Sequence, residues 1–331
     1  MPPPAFYFAV GARPRPRDVL VAILAGQRHF LAPAGSTADR LLQRTPDVHV
    51  VLDSWAFPPG NPVRPSLAHY AHLVAGWHAR TRCAAEAGQV DVPWLDWAVT
   101  YDTIGDLEAS ERDDAQLQAL CRQLCRTPDP PIVPVIHYPS ADADAMIGDL
   151  LRDRDLCFDD DEQAQLTQRV AWGFADEPDG PSDWPACAIG GLVPAHYSRD
   201  SACWYERLIA DLEAAVTLHP LQRRIHLLGV GRPSWVLASP LVMSFDSSGP
   251  ARLALIGFDQ GIGRAYTDAY GLSITKLRRS REARLVYQVA DYRARVGLPW
   301  QRVDAEALLD DRELALIPAA DLECWDQVAL A

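Results

Sequence analysis

No apolar run in the 331 residues approaches the roughly 20 needed to cross a bilayer as a helix. The opening Met1-Pro2-Pro3-Pro4 lacks the basic-then-apolar layout of a secretory signal. A cytoplasmic protein with no membrane partner is therefore expected. Cysteine is sparse: seven residues, an odd number, scattered through a chain long enough not to need disulfide staples. Cys121 and Cys125 stand at helical spacing, but no second Cys or His pair has the spacing of a zinc site, so no metal is expected. There is no internal repeat and no Gly- or Ser-rich linker, and the 27 prolines are spread through the loops, which predicts one domain over 1–331 with closing helices from about 276. A dinucleotide loop is excluded as well. Gly261 and Gly263 follow Phe258-Asp259, but the third glycine of the pattern is missing. No cofactor is implied.

What is present is an ordinary globular composition, 48% hydrophobic and 23% charged. The net charge of −13 argues against a nucleic-acid partner, because phosphates reward basic surfaces. The charge is unevenly spread, however. Asp159, Asp160, Asp161 and Glu162 form an acidic run. Lys276, Arg278, Arg279, Arg281 and Arg284 form a basic cluster, with Arg13, Arg15 and Arg17 as a smaller one. Each cluster reads either as a phosphate-binding face on an acidic body or as a solvated surface.

Short apolar, β-branched runs alternate with amphipathic helical ones. The strand candidates are 6–10, 48–53, 94–102, 132–137, 170–174, 186–192, 225–230, 242–247 and 252–258. Most are nearly continuous apolar runs, as a parallel sheet covered on both faces requires. Ser66 is a candidate N-cap for a helix carrying Leu67, Tyr70, Ala71, Val74 and Trp77 at helical spacing. Further helices are expected over 113–126, 201–216, 282–296 and 304–315. About eight strand–helix units predict a (β/α)8 barrel of the TIM type.

Chemistry in such a barrel sits where strands end at their C-terminal side. Asp53-Ser54 closes one strand, Asp102 another, His137 a third, Gly190-Gly191 a fourth, and Asp246-Ser247-Ser248 the last; His226 opens the run His226-Leu227-Leu228-Gly229-Val230-Gly231. A lone Asp after a strand is commonly a helix cap. Asp53 and Asp246 instead precede loops containing proline or glycine. Clustered carboxylates raise one another's pKa, so that one serves as an acid while another stays ionised. Gly190-Gly191 reads as a close backbone approach or a tight turn. His137 and His226 read as pocket-lining or as satisfied interior residues, and His69 and His72 as surface residues on a helix.

Taken in order, Leu52-Asp53-Ser54-Trp55-Ala56-Phe57, Tyr101-Asp102, Val133-Pro134-Val135-Ile136-His137, Ile189-Gly190-Gly191-Leu192, His226 to Gly231 and Phe245-Asp246-Ser247-Ser248 resemble the tRNA-guanine transglycosylase superfamily. The wording is closest to the DpdA-like branch that inserts 7-deazaguanines into DNA, and the likeness runs from about residue 48 to 250. The resemblance implies that Asp246 is the nucleophile at the nucleoside C1′, that Asp53 handles protons beside the base, and that Asp102 reads the guanine edge. It places Gly190 and Gly191 at the base's carbonyl side. Ser54, Trp55, His137 and His226 fall among the substrate-binding positions.

Two departures narrow the substrate. The tRNA enzymes carry a Cys-x-Cys-x-x-Cys and His zinc site after the nucleophile, whereas only Cys324 follows Asp246, so the zinc-binding subdomain is not expected. Trp55-Ala56-Phe57-Pro58 stands where those enzymes have Gly-Gly-Phe-Gln. The implied partners are DNA and a 7-deazapurine base such as preQ0, with Lys276, Arg278, Arg279 and Arg281, or a basic partner protein, meeting the phosphates. Three alternatives stand beside it: the same site acting on a free nucleoside or nucleotide, a non-catalytic nucleic-acid-binding paralogue, and an unrelated barrel hydrolase.

Overall fold

The computed structural model describes residues 4–10, 16–56, 61–89, 91–104, 106–125, 130–137, 184–185, 187–190, 210, 225–230, 236, 239–256 and 281–298. Its strands are β1 (Ala5–Ala9), β2 (His29–Pro33), β3 (His49–Asp53), β4 (Trp94–Val99), β5 (Ile132–Val133 and Val135–His137), β6 (Ala188–Gly190), β7 (Ile225–Leu227) and β8 (Val242–Ser247). All pairings are parallel, and β8 pairs back onto β1. The two halves of β5 flank Pro134, which has no N–H to give to the ladder. The first half pairs with β4 and the second with β6, so the ring is joined through a strand broken at that proline. The described helices are α1 (Pro16–Leu24), α2 (Thr37–Leu42), α3 (Leu67–Glu86), α4 (Leu107–Leu124), α5 (Gly249–Ile256) and α6 (Arg281–Arg295). The chain is a (β/α)8 barrel of the TIM type. No helix among the described residues is long and apolar enough to cross a membrane.

Alternation along the strands divides the apolar side chains into two layers. Phe6, Phe8, Phe30, Val50, Leu52, Leu227 and Phe245 face outward under the helices, joined by Tyr70, Val74, Trp77 and Leu285. Tyr7, Ala9, Leu31, Val51, Trp97, Val99, Val133, Val135 and Ala188 fill the barrel interior. Phe6 stacks on Phe245 at 5.2 Å. Each such buried aromatic contributes about 2–3 kcal/mol by area.

Sequence and structure part at particular elements. The run 252–258, expected as a strand, begins inside α5. Ala and Leu dominate it, Pro250 suits a first helical turn, and Ser247 Oγ accepts the Gly249 N–H at 3.0 Å. A short apolar run does not distinguish strand from helix by period alone. The helix expected from 113 starts six residues earlier, because Asp106 caps it by accepting the Ala109 N–H at 2.9 Å. β2, α1 and α2 had no expectation. The expected elements at 170–174, 201–216 and 304–315 lie outside the described residues, apart from Ala210.

Arg281 is a correction. Its guanidinium forms a two-pronged pair with the Asp18 carboxylate, Nη2 to Oδ2 at 2.7 Å and Nη1 to Oδ1, and its side chain is only 14% exposed. It fastens α6 to α1 rather than facing solvent where phosphates would meet it. Its neighbour Arg284 gives its Nε–H to the Ala254 carbonyl. Lys276, Arg278 and Arg279 lie outside the described residues.

Candidate active site

Three carboxylates converge at the C-terminal mouth. Asp246 is in register with the interior residue Tyr7, and parallel register partners face the same side, so its side chain points into the barrel. Asp53 lies two residues beyond the interior residue Val51 and faces inward by the same alternation. Asp102, in the loop after β4, is buried and accepts the Ser54 hydroxyl at 2.8 Å. Burial is the largest cause raising the Asp53 carboxyl from 3.8 to about 7, followed by the charges of Asp102 and then Asp246; the Trp55 backbone N–H and Arg64 pull the other way. Asp53 therefore exchanges a proton near neutrality.

Asp246 is held from below. Its Oδ1 accepts the Gly229 N–H at 3.0 Å and lies 3.4 Å from His226 Nε2. The other ring nitrogen, Nδ1, lies 2.8 Å from Ser244 Oγ. Gly229 has φ of 77°, a conformation that glycine adopts without strain, and this turn aims its N–H at the carboxylate. His226 is fully buried, with Trp97 and Tyr7 edge-on to its ring at 4.9 and 5.8 Å. It orients Asp246 from inside the barrel rather than lining the mouth.

Trp55 takes φ of 64°, unusual for an aromatic residue and a source of strain of order 1–3 kcal/mol. Its indole N–H is given to the Ala34 carbonyl at 2.9 Å and its side chain is buried. The same left-handed turn aims its backbone N–H at Asp53. Gly190 ends β6 in register with His137. The His137 side chain and Gly191 lie outside what is described.

Arg64 carries no motif, and sequence reasoning missed it. Its Nη2 donates to the Asp102 carbonyl at 2.6 Å and its Nε to the Ser54 carbonyl at 3.1 Å, while its guanidinium lies 3.8 Å from the centre of the Tyr101 ring. It ties the loops after β3 and β4 into one rim. Ser244 and the Gly229 N–H were also missed; the glycine in Leu228-Gly229-Val230-Gly231 was a visible signal for the second of them alone.

A second polar cluster sits at the opposite, N-terminal mouth. His29 and His49, the first residues of β2 and β3, are in register and stack at 4.7 Å. Asp96 Oδ1 lies 2.8 Å from His49 Nδ1, and Oδ2 accepts the Tyr7 hydroxyl at 2.7 Å. Burial lowers the His29 pKa from 6.5 to about 4; Asp96 and Asp47 raise it, and His49 and Arg293 lower it. The hydrogen bond to Asp96 raises that of His49.

No family profile matches the chain, and no curated protein matches it in sequence.

Proposed function

We propose that the C-terminal site exchanges a nucleobase at a glycosidic carbon through a covalent Asp246 intermediate, replacing guanine in DNA with a 7-deazaguanine. The observation that carries the reading is the three converging carboxylates with one of them, Asp53, titrating at about 7. A single group near neutral pKa is what base departure and base entry both need. The ordered resemblance of the strand ends to the transglycosylase superfamily supplies the reaction class.

In the first displacement an Asp246 oxygen attacks C1′ as the C1′–N9 bond breaks, through a transition state of oxocarbenium character. Among the described residues both hydrogen bonds to this carboxylate fall on Oδ1, so Oδ2 is assigned the attack. Protonated Asp53 gives its proton to the departing guanine. In the second displacement the now ionised Asp53 takes a proton from the incoming deazapurine, whose nitrogen attacks C1′ and releases the Asp246 carboxylate. Two inversions give retention. Asp102, fixed by Ser54, is the acceptor for donors on the base edge. A base within a duplex must be flipped out, or the strand single, to reach this depth.

The net charge of −13 favours a second reading, the same chemistry on a free nucleoside or nucleotide. One experiment separates them. The protein is incubated with labelled preQ0 and, in parallel, with DNA, tRNA or guanosine, and the nucleosides are then analysed by mass spectrometry. Label in DNA supports the proposal. Label only in free nucleoside supports the second reading, and no label in any pool overturns base exchange.

A further inference from the structure

We infer that His29, His49 and Asp96 form a binding site for a divalent transition-metal ion of the zinc type at the N-terminal mouth of the barrel. Nothing in the proposed reaction uses these residues. One ligand atom from each lies within 4.8 Å of the other two, and all three side chains are partly exposed, so an ion can reach them from solvent. In a tetrahedral zinc site neighbouring ligand atoms lie about 3.3 Å apart, given zinc–nitrogen bonds of about 2.0–2.1 Å. His49 Nδ1 and Asp96 Oδ1 are already at 2.8 Å. Side-chain rotation of His29 closes the remainder.

Two features build the site. A bulge in β4 pairs Val50 with Leu95 and Val51 with Trp97, leaving Asp96 as the extra residue. Leu95 faces outward and Trp97 inward, and the bulge turns Asp96 inward beside Trp97. The Tyr7 hydroxyl then fixes the carboxylate through Oδ2, leaving Oδ1 toward the imidazoles, the outer-shell support that ligating carboxylates commonly have. Binding displaces the proton between His49 Nδ1 and Asp96 Oδ1 into solvent, and the ion takes its place. Arg293, tied to Gln27 Oε1 at 2.9 Å, opposes the ion, whereas the charges of Asp96 and Asp47 favour it.

Two imidazoles and one carboxylate select zinc-like ions over magnesium or calcium. The N-terminal face of such a barrel serves stability. The ion would pin β2, β3 and β4 together and leave the chemistry to the other end. The test is calorimetric titration of the metal-free full-length protein with zinc, with magnesium as control and melting temperature as the second readout. The expected result is saturable uptake, a melting temperature that rises with the logarithm of zinc concentration, and no response to magnesium. His29→Gln and Asp96→Asn should lose the response, Tyr7→Phe should weaken affinity about 10-fold, and Asp246→Asn should leave it unchanged. If Asp96→Asn does not fold, His29→Gln carries the same test, since it alters no strand pairing. Absence of saturable zinc uptake, or uptake and melting shift unchanged in His29→Gln, overturns the site.

Discussion

Replacing Asp53 by Asn probes the convergence of the three carboxylates without assuming any substrate. Burial and the charges of Asp102 and Asp246 raise the folded-state pKa from 3.8 to about 7. Between these values the folded protein holds a proton that the unfolded chain has lost. The stability tied to Asp53 is therefore complete below the unfolded pKa and is lost as pH rises through the folded one. From pH ~5 to pH ~7 that loss reaches about 3 kcal/mol, at roughly 1.36 kcal/mol per unit. Asp53 keeps partial exposure, and solvent screening brings the expected figure to about 1–2 kcal/mol. Asn has the same shape, accepts the Trp55 N–H equally well and has no proton to lose. Denaturant unfolding of both proteins at pH ~5 and pH ~8.5 should show the variant gaining about 1–2 kcal/mol on the wild type across that interval. A difference independent of pH would refute the coupled, poorly solvated pocket and remove the proton-handling role with it.

Other substitutions test neighbouring parts of the structure. Asp246→Asn keeps an acceptor for the Gly229 N–H, so folding should persist while exchange and any covalent adduct with a guanine oligonucleotide disappear; a denaturing gel reads both, and Asp53→Asn, which lacks the proton for base departure, should still form adduct but more slowly. Arg64→Ala unties the rim that joins Ser54 to Asp102, and should raise KM more than it lowers kcat while costing about 1–3 kcal/mol in denaturant unfolding. Gly249→Ala puts a Cβ against the Tyr292 hydroxyl and within 2.9 Å of Ser247 Oγ, where α5 packs on α6, and should cost about 1–3 kcal/mol by the same measurement. Arg281→Ala strands the buried Asp18 carboxylate, and should cost about 3–5 kcal/mol while leaving the salt dependence of DNA binding unchanged.

The barrel was legible because a sheet buried on both faces writes itself as nearly continuous apolar runs, and Val48 to Leu52 or Val242 to Phe245, each broken by a single polar residue, read that way. β2 escaped because His29 and Pro33 bracket an apolar stretch of only three residues. The site was legible where a carboxylate ends a strand, since Asp53 and Asp246 break apolar runs abruptly. Arg64 and the Gly229 N–H were not, because what defines them is a contact across the mouth and a backbone direction, neither of which has a sequence period. His29, His49 and Asp96 were invisible for a related reason. They sit on three strands, and their meeting depends on register and on a bulge that no spacing rule encodes.

Departures from local rules gather at the two mouths of the barrel and directly beneath the C-terminal one. Trp55 accepts a left-handed backbone, Asp53 keeps its proton toward neutrality, and His226 is fully buried with Ser244 and Asp246 as partners. At the other end β4 gives up a regular ladder to turn Asp96 inward. Between them Leu31, Val51, Trp97, Val99 and Val133 pack as any stable barrel interior would. A sequence selected for stability alone would not hold a carboxylate against two others, because each such group lowers the stability that the apolar layers supply. The C-terminal departures share one consequence: they fix the carboxylates and the N–H groups aimed at them before any ligand arrives. Preorganisation of that kind costs stability in the resting protein and lowers the cost of reaching a charged transition state.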